Sequence, residues 1–309
     1  MSTMFRYADA AKWFKGNVHL HTNVSDGSKS PADTAQAYAD AGYDFIALTD
    51  HFVGPYGYPI VDTRPFRDNA FTTILGAEMH SGALQNGELW HLLAVGLPTD
   101  FAPSHSPGFD PVEGQETGPE LARRAREAGA FVAIAHPAWS GLTPEDARSI
   151  EAAHAVEIYN HGCHTAVDRG DGAQMLDLLL TEGRRLTAIA TDDAHFHHDD
   201  HFGGWVMVKA EANEPEALLE ALKAGMFYAS QGPELRDIRI EGGSLVVECS
   251  AVAAIIVQGR GSAGEVRHGR SLTRAEFPLE GGIGRSPWLR VTVVDTAGRR
   301  GWSNPFWRD

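Results

Sequence analysis

The amino-acid sequence predicts an α/β protein in two parts, a strand-and-helix region over residues 1–232 and a small antiparallel β-sandwich over residues 233–309. In the first part, short apolar runs alternate with helical segments of about 10–12 residues, which is typical of βαβ units and a parallel sheet. In the second part, short alternating runs are separated by glycine turns such as Gly242-Gly243. Strands this short and evenly spaced favour an antiparallel sandwich.

The helices of the first part are marked by proline at their starts and glycine at their ends. Ser30-Pro31 supplies an N-cap residue and a first-turn proline, and Gly42 ends that helix. The same signals predict four further helices, which begin at Gly118, Thr143, Gly172 and Pro215.

Two irregular segments are predicted beside the ends of strands. Residues 98–118 contain four prolines and several glycines, and we expect this long loop at the mouth of a site. Residues 54–59 carry Tyr56 and Tyr58, which either line a pocket or form a turn packed on the surface.

In the second part, Trp302 and Trp307 are predicted to pack the sandwich against itself or against the first part, so structural support is expected there.

Histidine and carboxylate side chains recur at the ends of the apolar runs. His19 and His21 are two residues apart on the first strand and therefore point to one face, and Asp26 follows in a turn. The pattern continues at later strands with His51, Glu78, His91, His136, Asp193 and His195. One histidine at a strand end is usually structural, but this repetition predicts a site for several metal ions, because functional groups cluster where parallel strands end.

The ordered series His19-x-His21, Asp26, Thr49-Asp50-His51, Glu78, His91, Ala135-His136-Pro137 and Asp193-x-His195 resembles the polymerase-and-histidinol-phosphatase (PHP) family over about residues 16–210. The resemblance implies a distorted seven-stranded β/α barrel that holds two or three divalent metal ions (zinc, manganese or iron) and hydrolyses phosphoesters. A weaker similarity, in residues 227–233 and 301–305, is to a branch that includes carbaryl hydrolases.

The resemblance also implies how the ligands divide among the metals. The three sets are His19, His21, Glu78 and Asp193; then Glu78, His91 and His136; then Asp26, His51 and His195. Glu78 is expected to bridge two ions, and Glu78, Asp193 and His195 are expected to be catalytic. Bound metals lower the pKa of water toward 7, so the expected reaction is a hydrolysis by metal-bound hydroxide.

Four further side chains are candidates for binding substrate: Arg169, His161, His164 and His80. His80 is alternatively a surface histidine. Asp50 and Asp192 are expected to lie behind the metal ligands, where Asp50 would accept the outward ring N–H of a metal-bound histidine; the alternative for both is an ordinary acidic residue at a strand end. Because arginines are sparse near the motifs, a carbamate, ester or amide remains an alternative to a phosphomonoester or phosphodiester. A further alternative is a non-catalytic scaffold stabilised by metal, but the complete set of nine ligands favours an enzyme.

The amino-acid composition indicates what kind of protein this is and which kinds of partner it is expected to bind. The 309 residues include 43% apolar and 22% charged residues, as in soluble globular proteins. With 41 acidic and 26 basic residues, the formal charge of −15 argues against binding nucleic acid. No signal peptide, apolar span or disulfide framework is apparent, and only two cysteines are present. We therefore expect a cytoplasmic protein with a small, anionic substrate and no membrane partner; no oligomeric state is predicted.

Overall fold

Strands and helices alternate through the first part of the chain in the computed structural model, which describes residues 12–308. The strands are β1 Lys12–Asn17, β2 Phe45–Leu48, β3 His51–Phe52, β4 Thr72–Met79, β5 Leu92–Val95, β6 Phe131–Ile134, β7 Ala155–Asn160, β8 Thr187–Thr191, β9 Trp205–Ala210 and β10 Phe227–Ser230. The helices are α1 Pro31–Asp40, α2 Gly118–Glu127, α3 Pro144–Ser149, α4 His161–Val167, α5 Ala173–Thr181 and α6 Pro215–Lys223, with short 3-10 turns at Gly54–Tyr56 and Arg64–Phe66.

The predicted helix starts are confirmed with small shifts. The Ser30 hydroxyl accepts a hydrogen bond from the backbone N–H of Asp33 at 3.1 Å. Thr117 and Thr143 form capping boxes with acidic residues three positions later, so α2 is capped by Thr117, one residue before its predicted start. Helix α4 was not predicted, because it follows β7 directly without a proline to mark its start.

The sheet is mainly parallel near β1, β2 and β4 and again across β6, β7 and β8. Strand β5 departs from the predicted parallel order, since it runs antiparallel to both β4 and β6. The reason is local: residues 80–91 turn back through a short antiparallel bridge between Ala83 and Leu89 instead of crossing over through a helix. The start of β5 consequently lies at the same edge as the carboxyl ends of its parallel neighbours.

The sheet curls around one apolar core without closing on itself. That core contains side chains from β1, β2, the run β4 to β9, and α6; examples are Phe14, Phe45, Ile74, Leu93, Phe131, Ile189, Val206 and Leu218. The ends of β1 and β8 approach at a single bridge between Leu20 and Ala194, where the His21 N–H donates to the Ala194 carbonyl at 3.0 Å. Within residues 12–308, β1 and β8 share no ladder beyond this one bridge. The fold is therefore a mixed α/β structure with a curled, open sheet.

The second part is antiparallel, as predicted, but it continues the first sheet. Its elements are β11 Leu235–Glu241, β12 Ser244–Gly259, β13 Gly264–Pro278, α7 Gly281–Arg285, β14 Trp288–Val294, β15 Arg300–Ser303 and β16 Phe306–Trp307. Strand β15 pairs with β10, so one hydrogen-bonded sheet runs through both parts. Strand β12 replaces two shorter predicted strands, and most of β13 escaped prediction because its side chains are largely polar and exposed.

Several side chains fasten the second part to the first. Arg290 donates two hydrogen bonds of 2.7 Å to the carboxylate of Asp177. Trp302 stacks on Tyr159 with ring centroids 5.9 Å apart, which confirms that it packs on the first part. The side chain of Asn304 bonds to backbone groups of three residues in the first part: Gly225, Phe227 and Ala188. Among the residues described, no helix has the length and apolar character to cross a membrane.

Candidate metal centre

The nine residues predicted as metal ligands lie together at one edge of the sheet. Six follow β1, β6 or β8, as expected from the strand ends, and these are His19, His21, Asp26, His136, Asp193 and His195. His51 opens β3 and is paired in register with Glu78 on β4. His91 lies just before β5 and reaches the same edge because β5 runs antiparallel to its neighbours.

Glu78 stands at the centre of this cluster. Its Oε1 atom lies 2.8 Å from Nδ1 of His91 and 3.1 Å from Nε2 of His136. Its Oε2 atom lies 2.7 Å from Nδ1 of His51 and 3.5 Å from Nε2 of His21. The two carboxylate oxygens therefore face different groups of histidines, which is the arrangement that a bridging carboxylate requires.

Two other carboxylates complete the cluster on either side of His21. Asp193 Oδ1 lies 3.0 Å from Nε2 of His21 and 3.2 Å from Nε2 of His19. Asp26 lies 3.3 Å from the Nε2 atoms of both His51 and His195. His21, Asp26, His51 and His195 thus form one set, whereas His19 and His21 share Glu78 in another.

The donor atoms of this cluster fit divalent metal ions better than they fit one another. Several are buried without a well-formed hydrogen bond among the described residues, namely His19 Nε2, both ring nitrogens of His21, Asp26 Oδ1 and Glu78 Oε2. Buried polar atoms without partners cost free energy, so their convergence calls for a ligand. Imidazole nitrogens mixed with carboxylate oxygens suit zinc, manganese or iron.

The electrostatics keep the carboxylates in the form that binds cations. Burial alone would raise the pKa of Glu78, but the charges of His91 and His51 and a hydrogen bond from His136 hold it well below its usual range. Burial lowers the pKa of His51, but the negative charge of Glu78 raises it, and the net result is a rise to about 10. Burial, together with the charges of His195 and His51, lowers the pKa of His21 to about 4, which leaves that imidazole neutral. Metal binding requires ionised carboxylate and neutral imidazole, so a cation would have to displace a proton from His51 but not from His21.

Two ligand candidates have a backbone conformation that is uncommon outside glycine. Asp193 has a φ of 55° and His136 a φ of 21°. Such positions cost about 1–3 kcal/mol each and cluster at functional sites. At both, the unusual backbone lies two residues after the end of a buried strand.

Three residues that were not predicted as site residues position the candidate metal ligands through hydrogen bonds. Glu157 Oε1 lies 2.7 Å from Nδ1 of His19, and its Oε2 accepts the backbone N–H of His136 at 2.6 Å. Asn160 donates to both Glu157 and Asp193 at 3.1 Å. The Ser140 hydroxyl lies 2.9 Å from Nδ1 of His136. The only sequence signal was that Glu157 is a carboxylate in a strand that is otherwise mostly apolar.

A cavity of about 830 Å³ opens above the cluster. Arg169 is the one arginine or lysine that lines it in the described part of the chain. Phe109, from the predicted mouth loop, also lines it, which confirms the position of that loop. Neither His161 nor His164 is among the lining residues; His161 lies 2.9 Å from the Tyr159 hydroxyl and His164 lies 3.2 Å from Asp168 on the surface.

His80 is neither on the surface nor in the cavity wall. It is fully buried, with Nδ1 2.9 Å from the carbonyl oxygen of Trp90 and Nε2 2.8 Å from Nδ1 of His51. Because the carbonyl can only accept, His80 donates from Nδ1 and presents the Nε2 lone pair to the N–H of His51. When His51 is neutral, its own lone pair then lies on Nε2, the atom that faces Asp26.

The two aspartates beside the ligands have other partners than the predicted histidines. Asp50 accepts hydrogen bonds from the side chains of Thr22 and Ser25 and fixes the turn that leads to Asp26. Asp192 accepts from the Tyr38 hydroxyl and from three successive backbone N–H groups, of residues 202–204. Burial nevertheless raises the pKa of Asp192 to about 6. Both residues hold loops of the site in place.

No family model and no curated protein matches the chain. A solved two-domain protein from Bacteroides vulgatus, which contains a predicted PHP-like metal-dependent phosphoesterase, matches 93% of this chain over 92% of its own length, with a TM-score of 0.55 and 17% identity. At this identity the match establishes that the two chains share a fold, which agrees with the predicted resemblance to the PHP family, and the carbaryl-hydrolase branch stays a prediction.

Two further structures match less well. A candidate metal-dependent phosphoesterase from Bifidobacterium adolescentis covers 58% of this chain and 87% of its own, with a TM-score of 0.44 and 14% identity. An amidohydrolase from Chromobacterium violaceum with bound sulfate and no metal covers 60% of this chain and 89% of its own, also at 0.44 and 14%. Scores this low carry no conclusion about this protein.

Proposed function

We propose that this protein is a metal-dependent phosphoesterase that hydrolyses a small anionic phosphomonoester or phosphodiester. One observation supports the proposal above the others: nine ligand-type side chains, with Glu78 at their centre, lie together at the floor of a cavity large enough for a small molecule. A scaffold that had lost catalysis would not be expected to keep all nine.

Zinc, manganese or iron would occupy two or three positions in the cluster, held by the sets His19, His21, Glu78 and Asp193; Glu78, His91 and His136; and Asp26, His51 and His195. Bound cations would lower the pKa of a water toward neutrality and offset negative charge on the reacting phosphoryl group.

The chain's own groups then have distinct tasks. Glu78 turns one oxygen toward His91 and the other toward His51, so it would provide one oxygen to each of two metal ions. Asp193 and His195 hold the reacting centre from β8, and Glu157 fixes His19 from behind. Arg169, at the cavity wall, supplies the one permanent positive charge for orienting a phosphate oxygen.

We further propose that the curled strands act as a distorted seven-stranded barrel, made of β1, β2, β4, β5, β6, β7 and β8. The shared apolar core and the bridge between Leu20 and Ala194 support this. Residues 1–232 would form the metallohydrolase unit and residues 233–309 its supporting unit.

A carbamate, ester or amide hydrolase is the second candidate. The observation that favours it is the scarcity of positive charge, since Arg169 shares the cavity wall with Glu88 and with apolar Leu89 and Val167. A doubly charged phosphate would then depend on the metals almost alone for its charge neutralisation.

Metal content tests the centre directly. Protein purified without chelator should contain two or three equivalents of zinc, manganese or iron per chain by elemental analysis. Ordered protein that carries none would remove the basis of both candidate functions.

A substrate panel then separates the two functions. Chromogenic phosphate, ester and carbamate compounds should be tried with added manganese or zinc, and hydrolysis of the phosphates is expected. Activity limited to the esters and carbamates would select the second candidate. Glu78→Gln should abolish the activity, whereas Glu127→Gln, at an exposed position of α2, serves as the matched control and should leave it intact.

A further inference from the structure

One strand of the second part, β13, is a long and open edge of the sheet. Among the described residues it pairs with β12 only, so the main-chain groups on its other side have no strand beside them. It has 15 residues, whereas a typical strand has about five or six. An open edge of this kind can add a strand from another chain, and proteins usually protect such edges with proline, charged side chains or a bulge.

The strand consists of two halves. Its register with β12 shifts between His268 and Leu272, so residues 269–271 interrupt the strand and separate residues 264–268 from residues 272–278. Each half has its own outer edge, and the two edges differ in how well they are protected.

The second half is protected against pairing with another strand. The N–H of Leu279 donates to the Gly243 carbonyl at 2.9 Å, and the direction of these groups alternates along the strand. Position 278 therefore faces the outer edge, and Pro278 has no N–H to donate there. The main-chain groups of Glu276, two residues earlier, face the same way.

The first half has no proline on its outer edge. The N–H of Gly259 donates to the Ala263 carbonyl at 2.8 Å where β12 turns into β13, and the register is unbroken from there to residue 268. By the same alternation, the main-chain groups of Gly264, Val266 and His268 face the outer edge. These three positions offer the hydrogen-bonding groups that an added antiparallel strand needs.

Val266, in the middle of this half, is exposed although it is apolar. It is one of the eight large apolar side chains that stay exposed in the described chain, at 39%. Its carbonyl oxygen accepts a hydrogen bond of 3.1 Å from the guanidinium of the neighbouring Arg267, an exposed contact that an incoming N–H can replace. Pairing at this position would thus satisfy the main chain and bury an apolar side chain.

The first half is complementary to itself about a two-fold axis. When two copies are aligned antiparallel with Val266 opposite Val266, Gly264 lies opposite His268, and Glu265 lies opposite Arg267 of the other copy. Within one chain, Arg267 Nη2 lies 3.2 Å from Glu265 Oε2, so two copies would bring four alternating charges together. Opposite charges across a strand pair stabilise it.

We propose that two copies of this chain pair through residues 264–268, antiparallel and about a two-fold axis at Val266, so that one sheet runs through both molecules. A second copy is the occupant that these residues favour, because the outward main-chain groups and the charges of Glu265 and Arg267 all match under this symmetry. The formal charge of −15 repels two copies at long range, so the match at the edge decides where they meet. This inference is independent of the proposed function.

The test is sedimentation velocity of the full-length protein over a range of concentrations, at a salt concentration that screens long-range repulsion. The mass should rise from that of one chain to that of two. Val266→Pro removes the central donor, and because this N–H faces outward the fold should persist while the dimer is lost. Glu276→Pro, at an outward-facing position of the second half, is the matched control and should dimerise like the wild type. Circular dichroism and urea unfolding verify that both variants fold.

Charge reversal tests the two-fold arrangement itself. Glu265→Arg and Arg267→Glu should each stay monomeric alone, because like charges then face each other across the axis. An equimolar mixture of the two variants should form a heterodimer, since every charge again faces its opposite. Both variants have lost the ion pair within the chain, so recovery on mixing reports contact between chains.

Three results would overturn the inference. A wild-type protein that stays monomeric at every concentration would leave the edge to a strand of another protein. A dimer that survives Val266→Pro, or a mixture of the charge variants that stays monomeric while the wild type dimerises, would place the contact elsewhere on the molecule.

Discussion

The Oε1 atom of Glu157 lies 2.7 Å from Nδ1 of His19, and both side chains are fully buried. The contact leaves Nε2 of His19 directed at Glu78 and Asp193. Glu157 also accepts the hydroxyl hydrogen of Thr191, so the carboxylate ties β7 to β8 as well as to the candidate metal centre. A carboxylate behind a histidine ligand fixes its tautomer and increases its basicity.

Replacing Glu157 by Gln should weaken metal binding about 10- to 100-fold, because the amide cannot stabilise His19 in the same way. The affinity can be measured by competition with a chromogenic chelator. Glu182→Gln, on the surface where its carboxylate pairs with Arg148, is the matched control and should leave metal affinity unchanged. Equal affinity in the two variants would show that Glu157 serves the fold alone.

Replacing His80 by Leu should destabilise the protein by about 1–3 kcal/mol, because the buried Trp90 carbonyl loses its donor. It should also reduce the metal content, since the tautomer of His51 is no longer held. Urea unfolding in the presence of chelator and elemental analysis separate the two effects. His80→Gln, which can still donate to the carbonyl, should recover part of the stability.

His105→Leu, at an exposed position, controls for the loss of a histidine. If His80→Leu kept full metal content, the contact between His80 and His51 would have no bearing on metal binding.

His154 should make stability depend on pH far from the metal centre. Burial and the nearby Arg126 and Lys223 lower its pKa to about 4, and its Nδ1 accepts the backbone N–H of Val132 at 3.0 Å. The unfolded chain takes up a proton near pH 6.5 and the folded chain only near 4. The contribution of His154 is therefore fully present above pH 6.5 and is lost as the pH falls toward 4.

The size of this effect is about 1–2 kcal/mol after allowance for solvent screening of a half-buried side chain. His154→Asn keeps an acceptor but does not titrate in this range. Urea titrations at pH 7.5 and 4.5 give the unfolding free energies of wild type and variant. Between these two pH values, the wild type should lose that amount of stability relative to the variant. A difference that stays constant with pH would contradict the assignment.

Truncation after Gly232 should give an unstable or insoluble protein, even though all nine predicted ligands remain. The edge of β10 would lose its partner β15, and Trp302 would be removed from the core that it shares with Tyr159. A soluble, active fragment of residues 1–232 would show that the second part is dispensable for folding.

A milder form of the same test uses Asn304, whose side chain bonds to three backbone groups. Asn304→Ala should cost about 2–4 kcal/mol, because three buried groups lose their partners together. Gln115→Ala, at an exposed position, should cost almost nothing. Comparable unfolding curves for the two variants would rule out Asn304 as a fastening point.

The ligand candidates could be predicted from the sequence. On β1, alternate residues point to the same face, and elsewhere the ends of the apolar runs indicate which side chains reach one edge of the sheet. Glu157 could not, since one carboxylate in a buried strand has the same local pattern whether it faces a histidine or a backbone amide. The direction of β5 also lay beyond local pattern, because the turn over residues 80–91 decides it. Trp139 and Phe109 come from segments without periodicity, so only the folded chain brings them to one cavity.

The pairing of β10 with β15 has a consequence for how the protein is made. Gln231 and Arg300, which are hydrogen-bonded beside this pair, are 69 positions apart in the chain. During synthesis from the amino terminus, β10 therefore leaves the ribosome well before the strand that covers its edge. Until then the emerging sheet presents open N–H and C=O groups to other chains, so aggregation of the nascent polypeptide, rather than of the finished protein, should set how much protein a cell can accumulate.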